Sequence, residues 1–177
     1  MTISPVFNVA DFIRAVPDFP SPGILFRDIT PLLADADAFS ATIAQMACLI
    51  PQGTTTLVGI ESRGFIFAAA LAQQLDLAFV PVRKPGKLPA ATYSVEYELE
   101  YGSDRLEIHQ DAIAPGNRVV IIDDLLATGG TAAATVQLLQ QLEGVTVTTL
   151  LVVIELDGLK GRERLPSIAV RSLIRYD

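Results

Sequence analysis

The sequence predicts an α/β fold, a mostly parallel twisted sheet with helices on both faces. Three observations carry this. First, residues 118–122 show no polar alternation, as a strand buried on both faces should, and residues 55–60 and 145–154 also read as strands. Second, the first two runs each pass through a short turn into a helical segment, one reaching about Leu75 and the other spanning Thr131 to Leu142. Strands alternating with helices build parallel sheets, and ligands of such sheets sit beyond the carboxyl ends of the strands. Third, the chain has 177 residues, 50% apolar and 19% charged, enough to form a core without disulfides and too apolar for disorder.

The elements can be taken in order. Asn8 with Asp11 three residues on predicts a capped helix ending near Val16, before Pro17. Prolines 17, 20 and 22 then force an extended or turning path into Gly23–Asp28, so residues 1–34 read as an irregular arm or a cover over a site. A helix over Asp37–Ile50 would put Cys48 on its apolar side, in the core. The strand Thr55–Ile60 meets the turn Glu61-Ser62-Arg63-Gly64 and a helix. Arg83-Lys84-Pro85-Gly86-Lys87 is basic, rich in turn residues and expected to be mobile. From Thr92 to Tyr101 the pattern alternates strictly, with Tyr93, Val95, Tyr97, Leu99 and Tyr101 on one face. Leu106 and Ile108 continue it, which predicts an antiparallel hairpin turning at Gly102-Ser103-Asp104. His109 reads as a structural strand-end residue, and Asp157, Lys160, Arg162 and Arg164 as a solvated segment.

Composition narrows function. Thirteen basic against twenty acidic residues give a net charge of −7, which disfavours general nucleic-acid binding and requires any anion to be held by a local site. One cysteine and one histidine exclude an intrachain disulfide and the cysteine-cluster and histidine-pair metal motifs. No secretory signal is visible, and the longest uncharged stretch is broken at Pro51-Gln52-Gly53, so neither export nor a membrane span is expected. The expected location is the cytoplasm.

The segment that carries chemistry is Val119–Thr131, VVIIDDLLATGGT. Four apolar residues deliver Asp123 and Asp124 to a strand's carboxyl end. Ala127, Thr128, Gly129, Gly130 and Thr131 then turn into a helix. Glycines allow close backbone approach, and N–H groups at a helix start with two threonine hydroxyls form a phosphate cradle. The two carboxylates beside it can accept hydrogen bonds from a diol. Phosphate at one end and diol next to it describe a ribose 5-phosphate. No lysine follows the glycines, so this is no P-loop, and the spacing is not that of a dinucleotide fold. A purely structural turn is the alternative on these residues alone.

This segment resembles the phosphoribosyl pyrophosphate (PRPP) motif of the type I phosphoribosyltransferase family. Three further stretches resemble the adenine-using branch of that family: Asp18–Pro31, Gly59–Phe65, and Arg83–Pro89 with Leu99-Glu100-Tyr101-Gly102 and Leu106–His109. The resemblance spans nearly the whole chain. It implies the type I phosphoribosyltransferase fold as a single domain over 1–177, with 1–34 as a small N-terminal hood and 83–109 as flexible loop and hairpin lid. The implied reaction joins adenine to the 5-phosphoribosyl group of PRPP, releasing AMP and pyrophosphate.

The resemblance also implies roles. Ala127 to Thr131 would hold the ribose phosphate, and Asp123 and Asp124 the diol. Glu61, Ser62, Arg63 and Gly64, with Arg83, Lys84 and Lys87, would meet pyrophosphate, with a cis peptide at Glu61–Ser62. Leu25, Phe26, Arg27 and Leu159 would bind adenine; as bare sequence, Leu25, Phe26 and Leu159 read as core. Glu100 would act as general acid toward the purine ring, and Arg63 and Lys87 would assist the leaving group; as bare sequence, Glu96, Glu98 and Glu100 read as an exposed strand face. Mg²⁺ is expected mainly on PRPP itself, with no dedicated metal residues, and the chain is expected to be a homodimer. The alternatives are a phosphoribosyltransferase for another base, a PRPP-sensing regulator without catalysis, and a PRPP-forming synthetase. The basic loop and Glu100 argue against the regulator, and the short chain with no second nucleotide motif against the synthetase.

Overall fold

The structure is a computed structural model and describes residues 7–98 and 103–177. It divides into two compact units, Met1–Gln45 and Met46–Asp177.

In the first unit, the expected helix after Asn8 is one 3₁₀ turn, Val9–Phe12. The Asn8 side chain does cap it, accepting from the Ala10 N–H at 3.2 Å. The chain then extends instead of coiling, because β1 (Arg14–Pro17) pairs antiparallel with β2 (Leu25–Asp28). Arg14 faces Asp28 in that register and donates to its carboxylate from Nε at 2.9 Å and Nη2 at 2.6 Å. A nine-residue helix ending at proline has little propagation to offset its nucleation, so cross-strand pairing wins. The short α1 (Thr30–Ala34) follows, and α2 (Ala36–Cys48) starts where Asp35 Oδ1 accepts from the Ala38 N–H at 2.8 Å.

Cys48 is exposed, against expectation. The buried stripe of α2 runs through Ala38, Thr42, Ile43 and Met46. At 100° per residue, position 48 falls on the other side of the helix.

The second unit is built on a five-stranded parallel sheet, β3 (Thr56–Ile60), β4 (Ala78–Val82), β7 (Arg118–Leu126), β8 (Thr146–Leu156) and β9 (Ala169–Tyr176), in the order β4-β3-β7-β8-β9. Between β3 and β4 lies α3 (Arg63–Leu75), and between β7 and β8 lies α4 (Gly130–Leu139). The first crossover steps to one side of the sheet and the second to the other. Right-handed crossovers therefore put α3 and α4 on opposite faces. The strand order reverses between the parallel neighbours β3 and β7, and at such a point the carboxyl ends of two strands open a crevice.

The three predicted strands are the interior ones. All five residues of β3 and most of β7 and β8 are buried. The sequence reading missed both edges. β4 contains Pro81, which lacks an N–H and fits an edge strand, and β9 alternates with Arg171 and Arg175. On one sheet face Val58, Ile60, Val119, Ile121, Leu150 and Val152 pack with Val136 and Leu139 of α4. On the other, Gly59 admits α3: a Cβ there would lie 2.9 Å from the Ala68 Cβ and 2.8 Å from the Phe79 ring.

The hairpin is β5 (Thr92–Glu98) and β6 (Ser103–His109). Strand pairing takes in part of its predicted turn. Ser103 and Asp104 already belong to β6, opposite Glu98 and Tyr97, because the pairing that aligns Val95 with Leu106 and Tyr93 with Ile108 carries on through them. Leu106 and Ile108 are fully buried, and Tyr93, Val95 and Tyr97 pack against the same core. His109 ends β6 half-buried, accepting from the Ala90 N–H at 3.3 Å, as a structural residue would.

Candidate active site

A cavity of about 330 Å³ opens at the reversal point between β3 and β7. The turn after β3 contributes Glu61, Ser62 and Arg63. β7 runs on past the predicted strand end at Ile122 and itself contributes Asp123 and Asp124, and the turn into α4 then contributes Ala127 to Thr131. Lys84 enters from beyond β4, and the hairpin adds Tyr97, Asp104 and Leu106.

The turn predicted as a phosphate cradle is built by close packing of glycines. Gly129 has φ +82° at the start of α4, and a Cβ there would lie 2.5 Å from the Gly161 carbonyl oxygen. A Cβ on Gly161 would in turn strike the Ala127 carbonyl oxygen and the Leu126 side chain. Gly129 and Gly130 present backbone without side chains to the cavity at the start of α4, where N–H groups suit an anion. The Thr131 hydroxyl donates to the Tyr97 hydroxyl at 3.3 Å. Gly64 is equally constrained, since a Cβ would lie 2.7 Å from the Ile122 carbonyl oxygen and 2.9 Å from Asp123 Oδ1. The Glu61–Ser62 peptide is cis, as the resemblance implies.

Electrostatics follow from three carboxylate–cation pairs. Arg63 Nε lies 3.0 Å from Asp124 Oδ2, Arg83 Nε 3.2 Å from Glu61 Oε2, and Lys84 Nζ 2.9 Å from Asp104 Oδ2. Burial pushes the Glu61 carboxyl up, but the Lys84 N–H and Arg83 outweigh it and leave its pKa below the ordinary value. Asp104 is likewise raised by burial and lowered further by Lys84 and the Arg105 N–H, ending below. Asp123 and Asp124 behave differently. Burial and then repulsion from Asp124 raise Asp123 well above the ordinary carboxylate range; burial raises Asp124 despite Arg63. Asp123 stays open enough on the cavity side to meet a ligand, although its carboxyl is desolvated. Two adjacent carboxylates so placed suit a neutral donor such as a sugar diol.

The structure brings most of the predicted site together and separates some of it. Arg83 stands behind Glu61, giving a hydrogen bond to the Lys87 carbonyl at 3.1 Å, and the Lys87 side chain is exposed; neither lines the cavity. Leu159 is 45% exposed in a 3₁₀ turn after β8. Leu25, Phe26 and Arg27 lie on β2 in the first unit, with Leu25 48% exposed. Leu25 and Leu159 are thus not core: Leu25 opens the exposed end of the two-stranded ribbon opposite Pro17, and Leu159 ends a surface 3₁₀ turn. Glu100 lies outside the described residues.

The sequence reading missed two things. Tyr97 and Asp104 face the cavity; the signal was parity, since Asp104 shares the face of Leu106 and Ile108. The segment after β8 is also not simply solvated. Glu155, 3% exposed, accepts from Arg162 through both carboxylate oxygens and from the Ser172 hydroxyl at 2.7 Å. Asp157 accepts from Arg175 at 3.0 Å. This clamp holds the loop that carries Leu159 and seats Gly161 on Gly129. A glutamate ending the apolar run of β8 was the available signal.

A phosphoribosyl transferase domain model matches residues 27–173. An adenine phosphoribosyltransferase from a Synechococcus strain is 61% identical over 171 residues, covering 96% of this chain and 99% of the relative. The chain belongs to the adenine phosphoribosyltransferases. The adenine phosphoribosyltransferase of Thermoanaerobacter pseudethanolicus superposes with a TM-score of 0.91 at 51% identity, covering 95% of this chain and 98% of that one. That of Saccharomyces cerevisiae, bound to adenine and an imino-altritol bisphosphate, gives 0.88 at 42% identity, covering 94% and 96%. The enzyme transfers the 5-phosphoribosyl group of PRPP to adenine, giving AMP and pyrophosphate.

Proposed function

We propose that the 330 Å³ cavity is the PRPP site and that its residues divide the work. The observation that carries this is the placement of Asp123 and Asp124 beside the Ala127–Thr131 cradle at one strand end. The cradle N–H groups and the Thr128 and Thr131 hydroxyls hold the 5′-phosphate. Asp123 and Asp124 accept from the ribose hydroxyls, which fixes the anomeric carbon relative to its leaving group. Arg63, Lys84 and the backbone at Glu61–Ser62 meet pyrophosphate, with Gly64 letting that turn close on Asp123 and with Arg83 and Lys87 adding charge from the loop. The family resemblance assigns contact with adenine to Leu25, Phe26 and Arg27 and, separately, to Leu159; exposed leucines offer apolar surface to a flat base. Glu100 supplies a proton toward the ring nitrogen that gains electron density as N9 attacks.

Closure belongs to residues 84–91 more than to β5, because Tyr93, Val95 and Tyr97 are anchored in the core. Drawing this segment over pyrophosphate excludes water from a cation-like sugar. The hard oxygen donors of Asp123 and Asp124 suit Mg²⁺ carried on PRPP's own oxygens and water. Among the described residues no three acidic, histidine or cysteine side chains converge to hold an ion by themselves. Bound there, Mg²⁺ would neutralise charge on the departing pyrophosphate. A homodimer in the cytoplasm is the state that the family resemblance implies. None of the described helices is long and apolar enough to cross a membrane.

The test is kinetic. Asp123→Ala or Asp124→Ala should raise the KM for PRPP about tenfold or more, the cost of losing one charge-assisted hydrogen bond, while adenine affinity is kept. A folded double variant with normal PRPP kinetics would remove the diol role.

A further inference from the structure

The Lys84 backbone N–H donates to Glu61 Oε2 at 2.9 Å, but its side chain is tied to the hairpin. Its ammonium lies 2.9 Å from Asp104 Oδ2. The same oxygen accepts a long hydrogen bond, 3.5 Å, from the Tyr97 hydroxyl, which itself accepts from Thr131 at 3.3 Å. All four residues line the cavity. Asp104 holds its place on a fixed support, since it follows Ser103 in β6 and sits opposite Tyr97, two residues from fully buried Leu106. Lys84 is the movable partner, with its side chain 56% exposed on a flexible stem against 22% for Asp104.

We infer that Asp104 is a positioning residue that competes with pyrophosphate for Lys84 and so sets how tightly this product is held. The inference rests on the reading that Lys84 is a pyrophosphate ligand. An anion entering the cavity must draw the ammonium away from a carboxylate that cannot follow. When the product leaves, the carboxylate recaptures the lysine. The pair thus trades affinity for release, and adenine, which carries no charge, does not feel it.

The experiment is a double-mutant cycle on the full chain, titrating pyrophosphate with Mg²⁺ by calorimetry into wild type, Asp104→Asn, Lys84→Ala and the double variant. Asp104→Asn keeps shape and the Tyr97 contact while removing charge. It should tighten pyrophosphate about two- to fivefold, the range of a half-exposed ion pair. Lys84→Ala should weaken it, and adding Asp104→Asn to Lys84→Ala should change nothing further. Asp104→Glu, which keeps the carboxylate, should bind close to wild type, and the KM for adenine should be constant throughout. Unchanged or weaker binding in Asp104→Asn overturns the inference. So does equal tightening with and without Lys84, which would mean that Asp104 acts only as a general negative charge. If Lys84→Ala binds like wild type, the reading of Lys84 as a pyrophosphate ligand fails instead. Should Asp104→Asn not fold, Asp104→Ser gives the same comparison.

Discussion

Replacing Gly129 by alanine tests how the phosphate cradle is made. Two costs can be read from the structure. The backbone there has φ +82°, and a side chain in the left-handed region costs about 1–2 kcal/mol. The new Cβ would also lie 2.5 Å from the Gly161 carbonyl oxygen and 3.1 Å from its Cα. Backbone cannot swing aside like a side-chain tip, and Gly161 is itself pressed against Ala127 and Leu126. Overpacking of this kind costs a further 1–3 kcal/mol or so. Gly116 supplies the control, since it has φ +85° and nothing within 4 Å of a Cβ. Gly116→Ala should therefore lose only the conformational part, and the difference between the two variants isolates the contact. Urea unfolding should place Gly129→Ala about 2–5 kcal/mol below wild type and Gly116→Ala about 1–2 kcal/mol below. Because the cradle moves when its contact breaks, kcat/KM for PRPP should fall about 100-fold in Gly129→Ala and stay near wild type in Gly116→Ala. Equal stability losses in the two variants, or a Gly129→Ala enzyme with unchanged PRPP kinetics, would refute the glycine-contact account.

Three other outcomes follow from the same geometry. Asp123 has a folded-state pKa raised by burial and by Asp124, so its contribution to stability is complete below the unfolded carboxylate pKa of about 4 and is lost as pH rises through the raised value. Melting curves of the protein without PRPP should show Asp123→Asn gaining on wild type as pH goes from 4 to 8; a relative loss over that range would contradict this. Glu155→Ala should cost about 3 kcal/mol in urea unfolding, the low end for breaking a buried pair because Arg162 can turn to solvent, and Glu155→Gln should cost less. Hypoxanthine and guanine should be poorer substrates than adenine by about 10⁴ in kcat/KM if buried backbone groups read N1 and the 6-amino group; comparable turnover in a base panel would remove that reading.

The sequence by itself determined the interior of this protein and the chemistry of one turn. β7 was legible because both its faces are buried, so its run shows no polar alternation, and β3 and β8 were legible because only threonine and glycine interrupt their apolar runs. The Val119–Thr131 segment was legible because its chemistry is local: strand end, carboxylates and cradle lie within thirteen consecutive residues. Tertiary structure decided what depends on partners distant in the chain. The edge strands β4 and β9 are strands only because β3 and β8 offer them hydrogen-bonding partners. The residues after Asn8 extend because Asp28 lies across from Arg14, a pairing no helix cap can announce. Arg162 looked solvated until folding put it against Glu155, and Cys48 looked buried until the packed stripe of α2 turned away from it. Asp104 and Lys84 are twenty residues apart and meet because the hairpin register turns Asp104 toward the cavity. The Gly129–Gly161 contact is of the same kind, since no pattern along the chain records where one backbone comes to rest on another.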